Sequence, residues 1–104
     1  MGQIRWTEKA SSNLQAIFEY ISRDSKIYAA RYVKALIRAA KKLETMPRCG
    51  REVPELENPE LREVIYGNYR IIYRIVGAED DIEILAVIHG ARDIKTAIRE
   101  DWEL

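Results

Sequence analysis

The apolar residues of this chain change their period once, and that change fixes the order of its elements. Up to Leu43 they recur every third or fourth position, whereas from Leu61 onward they alternate or run continuously. The first spacing gathers side chains on one face of a helix and the second on the faces of strands. A chain that switches in this way, with its helices grouped ahead of its main strands, is an α+β fold.

Gln3 to Trp6 reads as a short opening strand, followed by Thr7 as a helix N-cap with Glu8 in the favourable first turn. Ala10, Leu14, Ile17, Phe18 and Ile21 then share one helical face. Ser22 to Ser25 interrupts the pattern, and Asp24 or Ser25 caps a second helix. In that helix Ala29, Val33, Leu36, Ala40 and Leu43 form a heptad-like stripe whose small residues permit close approach. Lys34, Arg38, Lys41 and Lys42 lie off it. The short connection makes the two helices an antiparallel hairpin.

Pro47 closes the helical region, and Met46 to Glu60, with Gly50, Pro54 and Pro59, reads as a loop. Leu61–Tyr66, Tyr69–Val76 and Ile82–His89 are the expected strands, joined by turns at Gly67-Asn68 and at 77–81. In the middle strand Tyr69, Ile71, Tyr73 and Ile75 face one side, and Arg70, Ile72, Arg74 and Val76 the other. The last strand is apolar on both faces except at Glu83 and His89, which places it inside the sheet. A short final helix is expected from Asp93 through Trp102. The expected architecture is β-α-α-β-β-β, an antiparallel sheet packed on one face by the helical hairpin. The other face is expected to stay partly open.

Composition narrows the classes. The 104 residues, 47% hydrophobic and 33% charged, suit a single globular domain with its own core. One cysteine, Cys49, and one histidine, His89, exclude a disulfide framework and a Cys/His metal site, and no cofactor is expected. No apolar run reaches the ~20 residues of a membrane span, and the first ten residues lack a signal-peptide core, so a soluble cytoplasmic protein is expected. The net charge of zero conceals segregation: residues 23–51 carry nine basic and two acidic side chains, net +7, and residues 52–104 six and thirteen, net −7. Most such charges are solvated faces, but the asymmetry also suits a partner of one sign.

Several phrases resemble the RelE/ParE superfamily, the toxins of type II toxin–antitoxin modules often described as plasmid stabilisation proteins. IRWTEKASSNLQAIFEYI at 4–21 is similar to the first strand and helix of that family, VPEL at 53–56 to its loop, and LREVIYGNYRIIYRI at 61–75 and ILAVIHGARD at 84–93 to its sheet strands. The resemblance spans almost the whole chain in the same order. It implies a toxin that is held inactive by a cognate antitoxin, with a higher-order complex of the two as a further expectation.

The family has two branches. RelE-like members are ribosome-dependent nucleases that cut messenger RNA. The resemblance then implies Glu55 as general base, Arg70 as phosphate clamp and His89 as general acid, the groups that 2′-hydroxyl attack requires. ParE-like members poison DNA gyrase and need no proton-transfer set. Here His89 is followed by Gly90-Ala91-Arg92-Asp93, no tyrosine occurs after Tyr73, and the chain is neutral overall. Those features resemble the ParE-like branch more, so gyrase poisoning is the favoured expectation, with Arg92 as a target contact. The chain is then not itself an enzyme; on the RelE-like reading it is an endoribonuclease acting on ribosome and mRNA. An inactive relative that only binds antitoxin is the third reading.

Purely structural roles fit the same residues. His89 suits a polar cap at a strand end, hydrogen-bonded to a loop carbonyl. Arg70 and Arg74 suit cross-strand pairs with Glu63 or Glu83, worth about 0.2–1 kcal/mol each. Glu55 stands among Glu52, Glu57 and Glu60, so only the family phrase singles it out. Tyr69 and Tyr73 suit the core, and Cys49 a plain loop thiol. Lys34, Arg38 and Lys41 are the expected antitoxin contacts, since the +7 segment favours an acidic partner.

Overall fold

The computed structural model describes residues 2–91 and 94. Its elements are β1 (Ile4–Trp6), α1 (Glu8–Ser22), α2 (Lys26–Lys41) with a 3-10 turn at Lys42–Glu44, β2 (Arg51–Glu52), β3 (Leu61–Tyr66), β4 (Tyr69–Val76) and β5 (Asp81–His89). The strands form one sheet in the order β1-β5-β4-β3-β2. The β2–β3, β3–β4 and β4–β5 pairs are antiparallel, while β1 runs parallel to β5 through Ile4↔Ile82, Arg5↔Glu83 and Trp6↔Ile84. The sheet is therefore mixed, and β5 is interior as its double-faced apolarity suggested. The expected final helix falls outside the described residues, apart from Ile94.

Both helices begin where a side-chain oxygen meets the free amides of the first turn. Thr7 Oγ1 accepts from the Ala10 amide at 3.1 Å, and Ser25 Oγ from the Tyr28 amide at 3.1 Å. Thr7 also ties α1 to β5, because its hydroxyl donates to the Ile84 carbonyl at 2.9 Å. Asn13 adds a second tie, its Oδ1 accepting from the Val87 amide at 3.0 Å.

The helical stripes meet one face of the sheet. Ala10, Ile17, Leu36, Ala40 and Leu43 pack there on Ile71, Tyr73, Ile82, Ile84 and Val87. Leu36 is completely buried, so truncation to alanine would cost about 2–5 kcal/mol. The β3–β4 turn has positive φ only at its first central residue, Gly67 (φ 58), the pattern of a type II′ hairpin. The positive φ favours glycine, and an added Cβ on Gly67 would stand 2.2 Å from the Tyr32 hydroxyl oxygen, so that ring would also have to shift.

Two expectations need correction. The segment 46–60 is not wholly loop, because Arg51 and Glu52 pair with Glu63 and Arg62 as β2. The second sheet face is largely closed: Val53, Leu61, Ile72, Leu85, Ala86, Ile88 and Ile94 form a second buried cluster, with Leu56 against it. Apolar residues of the loop thus cover a face that the strand pattern alone left bare. Among the described residues no helix is long and apolar enough to cross a membrane.

Candidate functional site

Strand alternation puts Arg70 on the loop-covered face of β4, while Glu63 projects from β3 on the same side. Glu63 pairs with Ile72, so Arg70 is its diagonal neighbour, within reach of a long side chain. Arg70 Nε donates to Glu63 Oε1 at 2.6 Å. The outer fork of the same guanidinium grips Glu55, Nη1 to Oε2 at 2.6 Å and Nη2 to Oε1 at 2.7 Å. All three nitrogens of Arg70 therefore hold a carboxylate oxygen. On the far side of Glu63, Arg51 Nε donates to Oε2 at 2.7 Å. The result is a chain Arg51–Glu63–Arg70–Glu55 whose charges cancel.

Burial differs sharply along this chain. The Glu63 and Arg70 side chains are 0% and 7% exposed, whereas Glu55 is 41% exposed. Glu63 is the floor of the assembly and Glu55 its outer cover. The Arg70 guanidinium beside Glu55 pulls that carboxyl down to about 2, outweighing the opposing effect of burial. In return the two carboxylates raise the Arg70 pKa further, so it stays charged. A second assembly lies farther along the same face, where Glu83 is clamped by Arg5 from β1 and by Arg74 from β4, the latter at 2.7 Å.

His89 ends β5 near this network. Its Nδ1 accepts a hydrogen bond from the Ala91 amide at 3.2 Å, which leaves the neutral ring with its proton on Nε2. The backbone partner is an amide rather than the expected carbonyl. The His89 ring stands edge-on to Tyr69 at 5.5 Å, and Tyr69 in turn to Tyr32 at 5.9 Å, with Tyr28 beyond at 6.0 Å. This row of rings joins α2 to the end of the sheet. Burial raises the Tyr69 hydroxyl pKa, assisted by Tyr32 and Tyr20.

Glu55, Arg70 and His89 line one open cleft of roughly 560 Å³, together with Arg51, Asn68 and Tyr69. A second cavity of roughly 450 Å³ lies behind the Tyr69–His89 pair and is walled by Tyr20, Tyr28 and Tyr32. Arg70 and His89 on the sheet and Glu55 on the segment before β3 are thus brought together. Lys34, Arg38 and Lys41 stand apart from them, exposed on α2. Arg92 lies outside the described residues. Tyr73 is core as expected: its hydroxyl donates to the Pro47 carbonyl at 2.8 Å and accepts from the Gly50 amide at 3.0 Å. Cys49 is an exposed free thiol.

Sequence reasoning missed Arg51 as the second cation on Glu63, and Tyr28 and Tyr32 as parts of the aromatic row. The four-residue spacing of those tyrosines on one helix face was the available signal. Chemically, the cleft offers a permanently charged arginine, an ionised carboxylate already engaged with it, and an imidazole with Nε2–H. Glu55 as held is a weak base, because a proton acceptor acts best with a pKa near the working pH.

Residues 4–94 match the family described as ParE toxin of type II toxin–antitoxin system, parDE. Toxin RelE2 of Caulobacter vibrioides is 36% identical over 93 residues, 88% of this chain and 99% of that protein. A chain of the chromosomal ParDE toxin–antitoxin system from P. aeruginosa superposes with TM-score 0.70 at 25% identity, covering 86% of this chain and 96% of its own. A chain of the toxin–antitoxin complex RelBE2 from Mycobacterium tuberculosis shares the fold, with TM-score 0.62 at 24% identity and coverage of 85% and 96%.

Proposed function

This chain belongs to the ParE toxin family of type II toxin–antitoxin systems, and from that premise we propose that it arrests growth by poisoning DNA gyrase. One observation carries the choice. Arg70, the group that would clamp a scissile phosphate, has its whole fork occupied by Glu55 and Glu63. Glu55, the group that would accept a proton, is held near 2 by that contact. A binding toxin needs neither function, since the DNA breaks in a poisoned complex are made by gyrase itself. The match to the ParE family and the fold shared with a ParDE toxin–antitoxin system support the same reading. Gyrase is a cytoplasmic target, so the chain acts there.

A cognate antitoxin is the second partner in this proposal. The exposed cations Lys34, Arg38 and Lys41 lie on one helix that carries no acidic residue. They suit an acidic antitoxin segment, whose association they would accelerate.

The alternative activity, ribosome-dependent mRNA cleavage, has one geometric argument in its favour: Glu55, Arg70 and His89 share a cleft. The relative named Toxin RelE2 keeps that reading in view. Growth without antitoxin separates the possibilities. A gyrase poison still arrests growth as His89→Gln, whereas an RNA-cleaving toxin that uses His89 as its acid loses arrest with that change. No arrest by the unaltered chain identifies an inactive relative.

A further inference from the structure

We propose that the outer face of α2 binds the backbone of double-stranded DNA, independently of base sequence. The inference goes beyond the gyrase reading, and the binding itself does not rest on it.

Most arginines on and beside the sheet are matched within the chain. Arg5 and Arg74 hold Glu83, Arg51 and Arg70 hold Glu63, Arg70 also holds Glu55, and Arg48 holds Asp80. The outer cations of α2 are not matched. Leu36 and Ala40 turn one side of this helix into the core. Arg31, Lys34, Arg38 and Lys41 recur every three or four residues along the opposite side, and all four are exposed. Among the described residues none of the four has an ion pair. The helix itself contains no acidic residue. The acids that bring the chain to net zero lie elsewhere, thirteen of the seventeen in residues 52–104.

Length and spacing then select the partner. At about 1.5 Å per residue, the stripe from Arg31 to Lys41 covers about 15 Å. One strand of a DNA duplex carries a phosphate for every ~3.4 Å of its axis, so the stripe spans about four phosphates and brings four cations to them. A regular row of one sign suits a repeating anion better than a single bound group. Each phosphate that is neutralised releases a condensed counterion, a gain that a peptide of scattered carboxylates does not offer. Cations on long stems reach the backbone without reading bases, hence the indifference to sequence. The same stripe suits the acidic antitoxin segment, so antitoxin and DNA exclude one another there. On the gyrase reading the stripe gives the toxin a hold on the DNA that gyrase cleaves.

Fluorescence anisotropy of a labelled, random-sequence DNA duplex, titrated with the antitoxin-free chain over a series of salt concentrations, tests the idea. The logarithm of the association constant should fall with the logarithm of salt at a slope of about −3 to −4, from four phosphates at about −0.9 each. The triple change Lys34→Gln, Arg38→Gln and Lys41→Gln leaves Arg31 alone on the stripe. It should bind at least tenfold more weakly at low salt, with a slope near about −1. Glutamine is a good helix former, and a far-ultraviolet circular dichroism spectrum checks that the variant is folded. Arg48→Gln, off the helix, should bind as the unaltered chain does. No binding by the folded chain at low salt, or an unchanged slope in the triple variant, overturns the proposal. An RNA duplex of the same length bound more than tenfold more tightly overturns the choice of DNA. No gyrase is present in these titrations, so this proposal and the functional one fail independently.

Discussion

Replacing Arg70 by methionine tests the network where the structure makes its energetics most unequal. The substitution keeps an unbranched side chain of similar reach in the second core but leaves Glu63, with no exposed surface, facing Arg51 alone. Breaking a buried ion pair from one side costs about 3–5 kcal/mol, because the remaining charge is neither solvated nor matched. Arg51 still holds Oε2 at 2.7 Å and is 59% exposed, which moves the expectation to the lower end, about 3 kcal/mol. Glu55→Gln breaks only the outer contact, to a side chain already 41% exposed, and should cost about 0.5–1 kcal/mol. The double change Glu63→Leu with Arg70→Met removes both charges and should recover most of the loss, since an apolar pair of similar volume needs no solvation. Urea unfolding at neutral pH measures all three. With a slope of about 1–1.5 kcal/mol per molar urea, Arg70→Met should lower the midpoint by about 2–3 M and Glu55→Gln by less than about 1 M. A loss under about 1 kcal/mol for Arg70→Met, or equal losses for the two single changes, would refute the division of this network into floor and cover.

Tyr73→Phe removes one hydroxyl that serves both the Pro47 carbonyl and the Gly50 amide. A loss of about 2–4 kcal/mol in urea unfolding is expected from two stranded backbone groups, and a loss below about 0.5 would contradict that role. Gly67→Ala forces a positive φ on alanine and drives a methyl group toward Tyr32, so the melting temperature should fall by several degrees, roughly 1–3 kcal/mol. Glu55 is more acidic folded than its ordinary 4.5. Its contribution is therefore present above about 5 and fades as pH falls toward 2, and Glu55→Gln should flatten that part of a stability–pH curve. An unaltered acid slope in the variant would count against the contact. Charge reversal at Lys34, Arg38 and Lys41 should weaken antitoxin binding, with a smaller effect at high salt; unchanged affinity at low salt removes those residues from the interface.

The sequence carries the helices and the three long strands because burial on one or both faces imposes a period on every residue. It does not carry β2, whose two residues are both exposed and so leave no pattern. Nor does it carry the parallel pairing of β1, since a three-residue strand has the same alternation in either direction. Arg70 with Glu63 and Arg74 with Glu83 were legible from alternation across neighbouring strands. The grip of Glu55 on Arg70 was not, because Glu52, Glu57 and Glu60 stand equally near in sequence and only the path of the 53–56 turn selects among them. That path depends on Val53 and Leu56 burying themselves on the sheet, a tertiary event without local periodicity.

Purified chain free of antitoxin, mixed with gyrase, ATP and supercoiled plasmid, gives the most direct reading of function through trapped DNA breaks. Breaks that appear only when this chain is present, and persist with His89→Gln, are the expected result. An absence of breaks from a chain that still arrests growth would contradict gyrase poisoning and turn attention to RNA cleavage in the Arg70 cleft.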